Sequence, residues 1–148
     1  MVSMKKKPKK KSGKKPISFG TLNKYFRKAV LYRDKNTCQV CGQTDIPENL
    51  QAHHFIHRYK CRVLKYDIKN GFTVHCIIVG KNKKTCHQLA DMRVGEDILI
   101  EKMGKERYEY IKELEQKLLQ DVIKEFRITR NQFREYELKK LKNILDIK

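Results

Sequence analysis

Cys38-Gln39-Val40-Cys41, followed by Gly42, sets two thiolates at the spacing that chelates a single ion, with a glycine that lets the backbone turn tightly beneath it. A second pair, Cys76 and Cys86, is separated by the nine residues IIVGKNKKT. That is longer than the usual gap of about two to four residues. Gly80 and Asn82 would allow the intervening loop to fold back and present both sulfurs. The four thiolates Cys38, Cys41, Cys76 and Cys86 therefore predict a closed, structural zinc site, with His75 able to replace one of them. Cys61 is left as the spare. An odd number of cysteines in a chain expected to be intracellular argues for metal binding over a disulfide framework.

Between the two halves lies Gln51-Ala52-His53-His54-Phe55-Ile56-His57-Arg58, then Asn70, and finally His87 directly after Cys86. The cysteine pair, the His-His step, an Asn sixteen residues beyond His54 and a Cys-His step together resemble the HNH, or His-Me finger, endonucleases. The resemblance implies a strand-strand-helix (ββα-metal) core that holds one divalent ion, magnesium or manganese, against a phosphodiester. It implies that His54 is the general base, that His53 and His87 are ligands of the catalytic ion, and that Asn70 orients the base. The chemistry suits these side chains. A neutral imidazole accepts a proton from water near neutral pH, and an Asn amide holds a loop or ring without competing for that proton. One difficulty is geometric: neighbours on a regular strand point to opposite faces, so His53 and His54 converge only at a strand end or a bulge.

Arg58 is a candidate for bidentate contact with the scissile phosphate. Lys60 and Arg62, with Lys65, read as basic surface that meets phosphates nearby. His57 is an adjacent histidine whose ordinary reading is structural.

Several elements must carry these residues. Leu22, Tyr25, Phe26, Ala29 and Val30 form a helical stripe from Thr21 to about Arg33, with Lys24, Arg27 and Lys28 on its outer face. Leu50 to His54 and Gly71 to Cys76 read as strands, and Leu89, Ala90 and Met92 follow Cys86 at the spacing of a short helix. Beyond Gly95, a break at Gly104 precedes a long amphipathic helix marked by Tyr108, Ile111, Leu114, Leu118, Val122 and Phe126. Thr129 and Gln132 have capping-box spacing and predict a last helix through Phe133, Tyr136, Leu141 and Leu145. The expectation is an α+β fold with a disordered basic arm over residues 1–18. A zinc-stabilised HNH nuclease domain follows over 19–95, then a helical region over 96–148 for packing, DNA contact or dimerisation.

Charge points to the same partner. Residues 1–93 hold 22 Lys and Arg against 5 Asp and Glu, whereas residues 94–148 hold 13 against 12. The basic field thus coincides with the Cys/His segment, and a net charge of +18 favours a polyanion. No apolar run suits a membrane span, and the amino-terminal stretch lacks the apolar core of a signal peptide, so a cytoplasmic protein is expected. The Tyr32-Arg33-Asp34 run and the Leu99-Ile100-Glu101-Lys102-Met103-Gly104 segment extend the likeness, over most of residues 20–145, to the phage NinG/Rap recombination nucleases. That narrower resemblance implies cleavage of branched DNA such as Holliday junctions, in the host cytoplasm, and symmetric cutting would call for a homodimer. Two other readings stand beside it: an HNH nicking or site-specific duplex endonuclease, and a zinc-stabilised DNA-binding module without catalysis.

Overall fold

The first helix begins where a serine can satisfy its free amides. In the computed structural model, which describes residues 15–147, Ser18 Oγ accepts the Thr21 N–H at 3.1 Å and starts α1 (Phe19–Arg33). Most of the expected arm over 1–18 lies outside the described residues. Leu22, Phe26, Ala29 and Val30 are buried, as their spacing requires. The outer face differs from expectation at one position: Arg27 reaches the backbone carbonyls of Pro47 and Leu50, tying α1 to the first strand.

Strand β1 (Leu50–His54) pairs antiparallel with β2 (Gly71–His75), in register from Leu50 opposite His75 to His54 opposite Gly71. Alternation divides the ribbon into two faces. Ala52, His54, Gly71 and Thr73 meet α1, whose Val30 carbonyl accepts the Thr73 hydroxyl. A side chain at Gly71 would bring a Cβ within 2.5 Å of Val30 and 2.8 Å of Phe26, so glycine is what lets α1 close on the sheet. Phe72 and Val74, on the other face, enter the core built by Ala90 of α2 (Cys86–Ala90) and by Leu99, Met103 and Ile111 of α3 (Arg93–Glu115).

Helix α3 bends at Gly104 and then stops at Glu115, short of the expected run through Phe126. The reason is a diverted carbonyl. Leu114 O, which a continuing helix would offer to Leu118, accepts the Lys117 N–H at 3.0 Å and the Cys61 thiol at 3.4 Å. The spare cysteine is thus a buried cap on α3. A separate short helix, α4 (Leu119–Glu125), follows, and Leu118 and Phe126 are exposed. Thr129 and Gln132 form the predicted capping box, and α5 (Arg130–Ile144) returns to α1, where Leu141 packs with Leu22, Phe26 and Tyr66. The fold is α+β, with one two-stranded sheet and five α-helices among the described residues. None of these helices is long and apolar enough to cross a membrane.

Candidate metal centre and histidine cleft

The cysteine knuckle is shaped by its backbone. Cys38 N–H donates to Gln43 O at 2.9 Å and Gly42 N–H to Cys38 O at 2.8 Å, with Gly42 at φ 76°, a conformation glycine adopts without strain. Gln39 N–H bonds Thr73 O at 2.8 Å and docks the turn on β2. The turn thereby faces the carboxyl end of β2 and the amino end of α2. There one atom from each of Cys38, Cys41, His75 and Cys86 lies within 4.8 Å of the other three.

The fourth ligand therefore differs from the four-thiolate expectation: His75 occupies the place assigned to Cys76. The knuckle docks beside the carboxyl end of β2, where His75 is the last residue and its ring reaches Cys41, while Cys76 lies beyond the strand. Cys76 instead donates its thiol to Glu48 O at 3.7 Å. The Cys3His donor set fits zinc. His75 Nδ1 is 3.3 Å from Cys41 Sγ, and its Nε2–H donates to Asp45 Oδ2 at 3.1 Å, which fixes the tautomer with Nδ1 as the ligand atom. Asp45 is in turn held below the usual carboxylate range, first by the Ile46 N–H and then by Asn49. Burial, reinforced by the neighbouring Cys38, pushes the Cys86 thiol up to about 12, the situation a bound cation reverses.

A second constellation lies at the other end of β1. His53, His87 and Asp91 bring one ligand atom each within 4.8 Å of one another. The His53 and His87 rings meet edge to face at 5.2 Å, and Asp91 Oδ1 is 3.9 Å from His53 Nδ1 and 3.4 Å from His57 Nε2. Burial lowers His53 to about 4, so its imidazole is neutral and available as a ligand at physiological pH. Asp91 was not among the expected residues. Its signal is present all the same, since His87 and Asp91 are four residues apart and share one side of a helical turn. Two imidazoles and a carboxylate are donors of the kind that hold a divalent transition-metal ion, whereas Mg2+ prefers oxygen ligands.

His54 is the last residue of β1 and points to the opposite side. No bulge intervenes, so the strand end alone lets it border the same cleft as His53. Its ring stacks on Phe26 at 4.7 Å, and Nε2–H donates to Lys65 O at 2.8 Å, leaving the Nδ1 lone pair free. Burial lowers its pKa, and the Arg58 and Lys65 cations act in the same direction. Asn70 does not touch this ring. It is fully buried, accepts the Ile56 N–H at 2.7 Å, and donates to Ile56 O at 3.0 Å and Leu64 O at 3.3 Å. It therefore fixes the loop whose next carbonyl, Lys65 O, receives His54.

The three expected phosphate contacts separate. Arg58 borders the histidine cleft, a space of about 470 Å³, with its guanidinium 4.9 Å from the Tyr59 ring. Lys60 lies elsewhere, paired with Glu115 at 3.0 Å, and Arg62 lines neighbouring hollows. Comparison with protein-family models, with curated proteins and with solved structures gives no match to this chain.

Proposed function

We propose that this protein is a metal-dependent DNA endonuclease of the HNH type, with a structural zinc, that hydrolyses phosphodiesters in branched DNA such as Holliday junctions. The observation that carries the proposal is a cleft bordered by a neutral His54 with a free Nδ1 and by His53 and His87, which Asp91 joins as a third donor. A binding module has no need of that pairing.

In this reading His54 Nδ1 takes a proton from water as the water oxygen bonds to phosphorus and the bond to the leaving oxygen breaks. Lys65 O keeps the ring in the tautomer that can accept, and Phe26 keeps it in place. Arg58, exposed at the rim, supplies a planar cation to the phosphate. His53, His87 and Asp91 would hold the divalent ion, which when bound neutralises charge developing on the phosphate and leaving oxygen. The basic field over residues 1–93 supports DNA as the polyanion. The preference for branched substrates comes from the resemblance to the NinG/Rap nucleases.

The test is incubation of four-way junctions, linear duplex and single strands with Mn2+ or Mg2+, comparing wild type with His54→Ala. Cleavage of junctions that the variant abolishes is the expected result. Unchanged cutting in the variant overturns the base assignment, equal cutting of duplex and junction removes the branched preference, and no cutting of any substrate leaves a zinc-stabilised binding module.

A further inference from the structure

A second cavity, of about 400 Å³, adjoins the histidine cleft and shares Arg58 and Tyr59 with it. Two segments remote in sequence supply its cations. The loop after β1 contributes Arg58, Arg62 and Lys65, and the first two turns of α5 contribute Arg130 and Arg134. Arg58, Arg62 and Arg130 are exposed, and Lys65 and Arg134 are half-buried. Lys65 links the cavity to the proposed base: its carbonyl receives His54 while its side chain borders the hollow.

The protein does not balance this charge. Among the described residues none of the five cations forms an ion pair with a carboxylate. Arg58 donates to the Tyr59 hydroxyl at 2.9 Å and Arg134 to Ile17 O at 3.2 Å, both neutral acceptors. Glu137, the one acid that borders the cavity, is 4% exposed, and its ion pair is with Lys140 at 3.9 Å. The cations repel one another. Lys65 is pushed below the usual ammonium range by burial and then by Arg58, Arg62 and Arg134. An ordinary basic surface spreads its charges into solvent, whereas here the fold gathers like charges into a concavity, where the field is focused.

We propose that this cavity seats consecutive phosphates of a DNA strand that continues from the histidine cleft, so that α5 forms one side of a channel for the backbone. Guanidinium forks bind phosphate oxygens in pairs, and the exposed Arg58, Arg62 and Arg130 are open to them. Such contacts position the strand and carry no sequence information. The inference deepens the nuclease reading, on which it rests only for the direction in which the strand continues.

The experiment measures binding of two duplexes of unrelated sequence by fluorescence anisotropy, without added divalent cation, from about 50 to 200 mM salt. It compares wild type with the double variant Arg62→Gln/Arg130→Gln, whose two side chains make no hydrogen bond among the described residues and are therefore expendable for folding. Lys102→Gln/Lys105→Gln, on the exposed face of α3, makes the same change in net charge away from both cavities. Each phosphate contact contributes about 0.9 to the slope of log affinity against log salt. The arginine pair is expected to lower that slope by about 2 and to weaken binding at least about tenfold at 100 mM salt, equally for both sequences. The lysine pair is expected to change the slope by less than about 0.5. Equal slopes in the two double variants overturn the proposal, as does a wild type that binds neither duplex. Should the arginine pair fail to fold, Arg130→Gln alone decides the matter, with an expected fall of about 1 in slope. Cleavage is assayed separately: binding that depends on the arginine pair without any cutting refutes the nuclease alone, and cutting with an unchanged slope in that pair refutes this channel alone.

Discussion

His54 Nε2 lies 2.8 Å from the carbonyl oxygen of Lys65, and that contact decides which nitrogen of the ring can act as a base. A carbonyl can only accept, so Nε2 carries the hydrogen and Nδ1 the lone pair. His54→Ala should reduce cleavage by about 10²–10⁴-fold, the usual contribution of a positioned general base. The His54 pKa is lowered by burial, so the neutral, active form persists to lower pH than for an ordinary histidine. The acid limb of a pH–rate profile should fall below the ordinary value of 6.5. A limb above that value, from a protein with its metal retained, refutes the assignment.

His75 and Cys76 exchange roles relative to a four-thiolate site, and metal analysis distinguishes them. Cys76→Ser should retain one zinc per chain and melt within a few degrees of wild type. His75→Ala should lose zinc and much of the stability, because metal binding at such sites is coupled to folding. Zinc loss in the Cys76 variant alone would return the thiolate set.

Asn70→Ala leaves the Ile56 N–H and the Ile56 and Leu64 carbonyls without their partner. Each orphaned buried group costs about 1–3 kcal/mol, so urea denaturation should report a loss of roughly 3 kcal/mol. Cleavage should fall as well, through the loop that holds His54. A stability change under about 0.5 kcal/mol, the range of an ordinary surface substitution, would show that the loop is held by other means.

Asp91→Ala removes the carboxylate from the His53 and His87 set, and junction cleavage should then need higher Mn2+ concentrations. With wild type, Mn2+ should support faster cutting than Mg2+ at equal concentration, since Mg2+ is bound almost entirely through oxygen and two of the three donors are imidazole nitrogens. Titrating the metal in both proteins checks each statement.

Glu137 is raised to about 7, chiefly by burial. Its folded pKa exceeds the unfolded value of 4.5, so the folded state binds more protons between the two. Its contribution is fully present below pH 4.5 and is lost as pH rises to about 7. Glu137→Gln should flatten that part of the stability–pH curve and raise stability at pH 8 by about 3 kcal/mol, a shift of this size being worth that order. Parallel curves for wild type and variant across the window would refute it.

Legibility in the sequence followed the range of the interaction. β1 was readable residue for residue, and the Thr129–Gln132 box fixed the start of α5, because alternation and capping are local. The fourth ligand was misread because cysteines were counted, whereas the docking of the knuckle on β2, which brings Cys41 to His75, is a contact between remote segments. Asp91 had a local signal in its spacing from His87. The end of α3 had none, since it depends on a bond from Cys61 to Leu114 across more than fifty residues of chain. The same holds for Lys60, whose partner Glu115 is equally remote.

Phe26 supports the His54 ring on one side and packs with Leu141 of α5 in the same apolar cluster. During synthesis the residues of the cleft leave the ribosome well before Leu141 does. The His54 ring then has Phe26 beside it but not Leu141 behind Phe26, so the packing that steadies the ring is completed only when α5 is in place. In the proposed nuclease, the cleft would thus be steadied only once α5 has packed against α1.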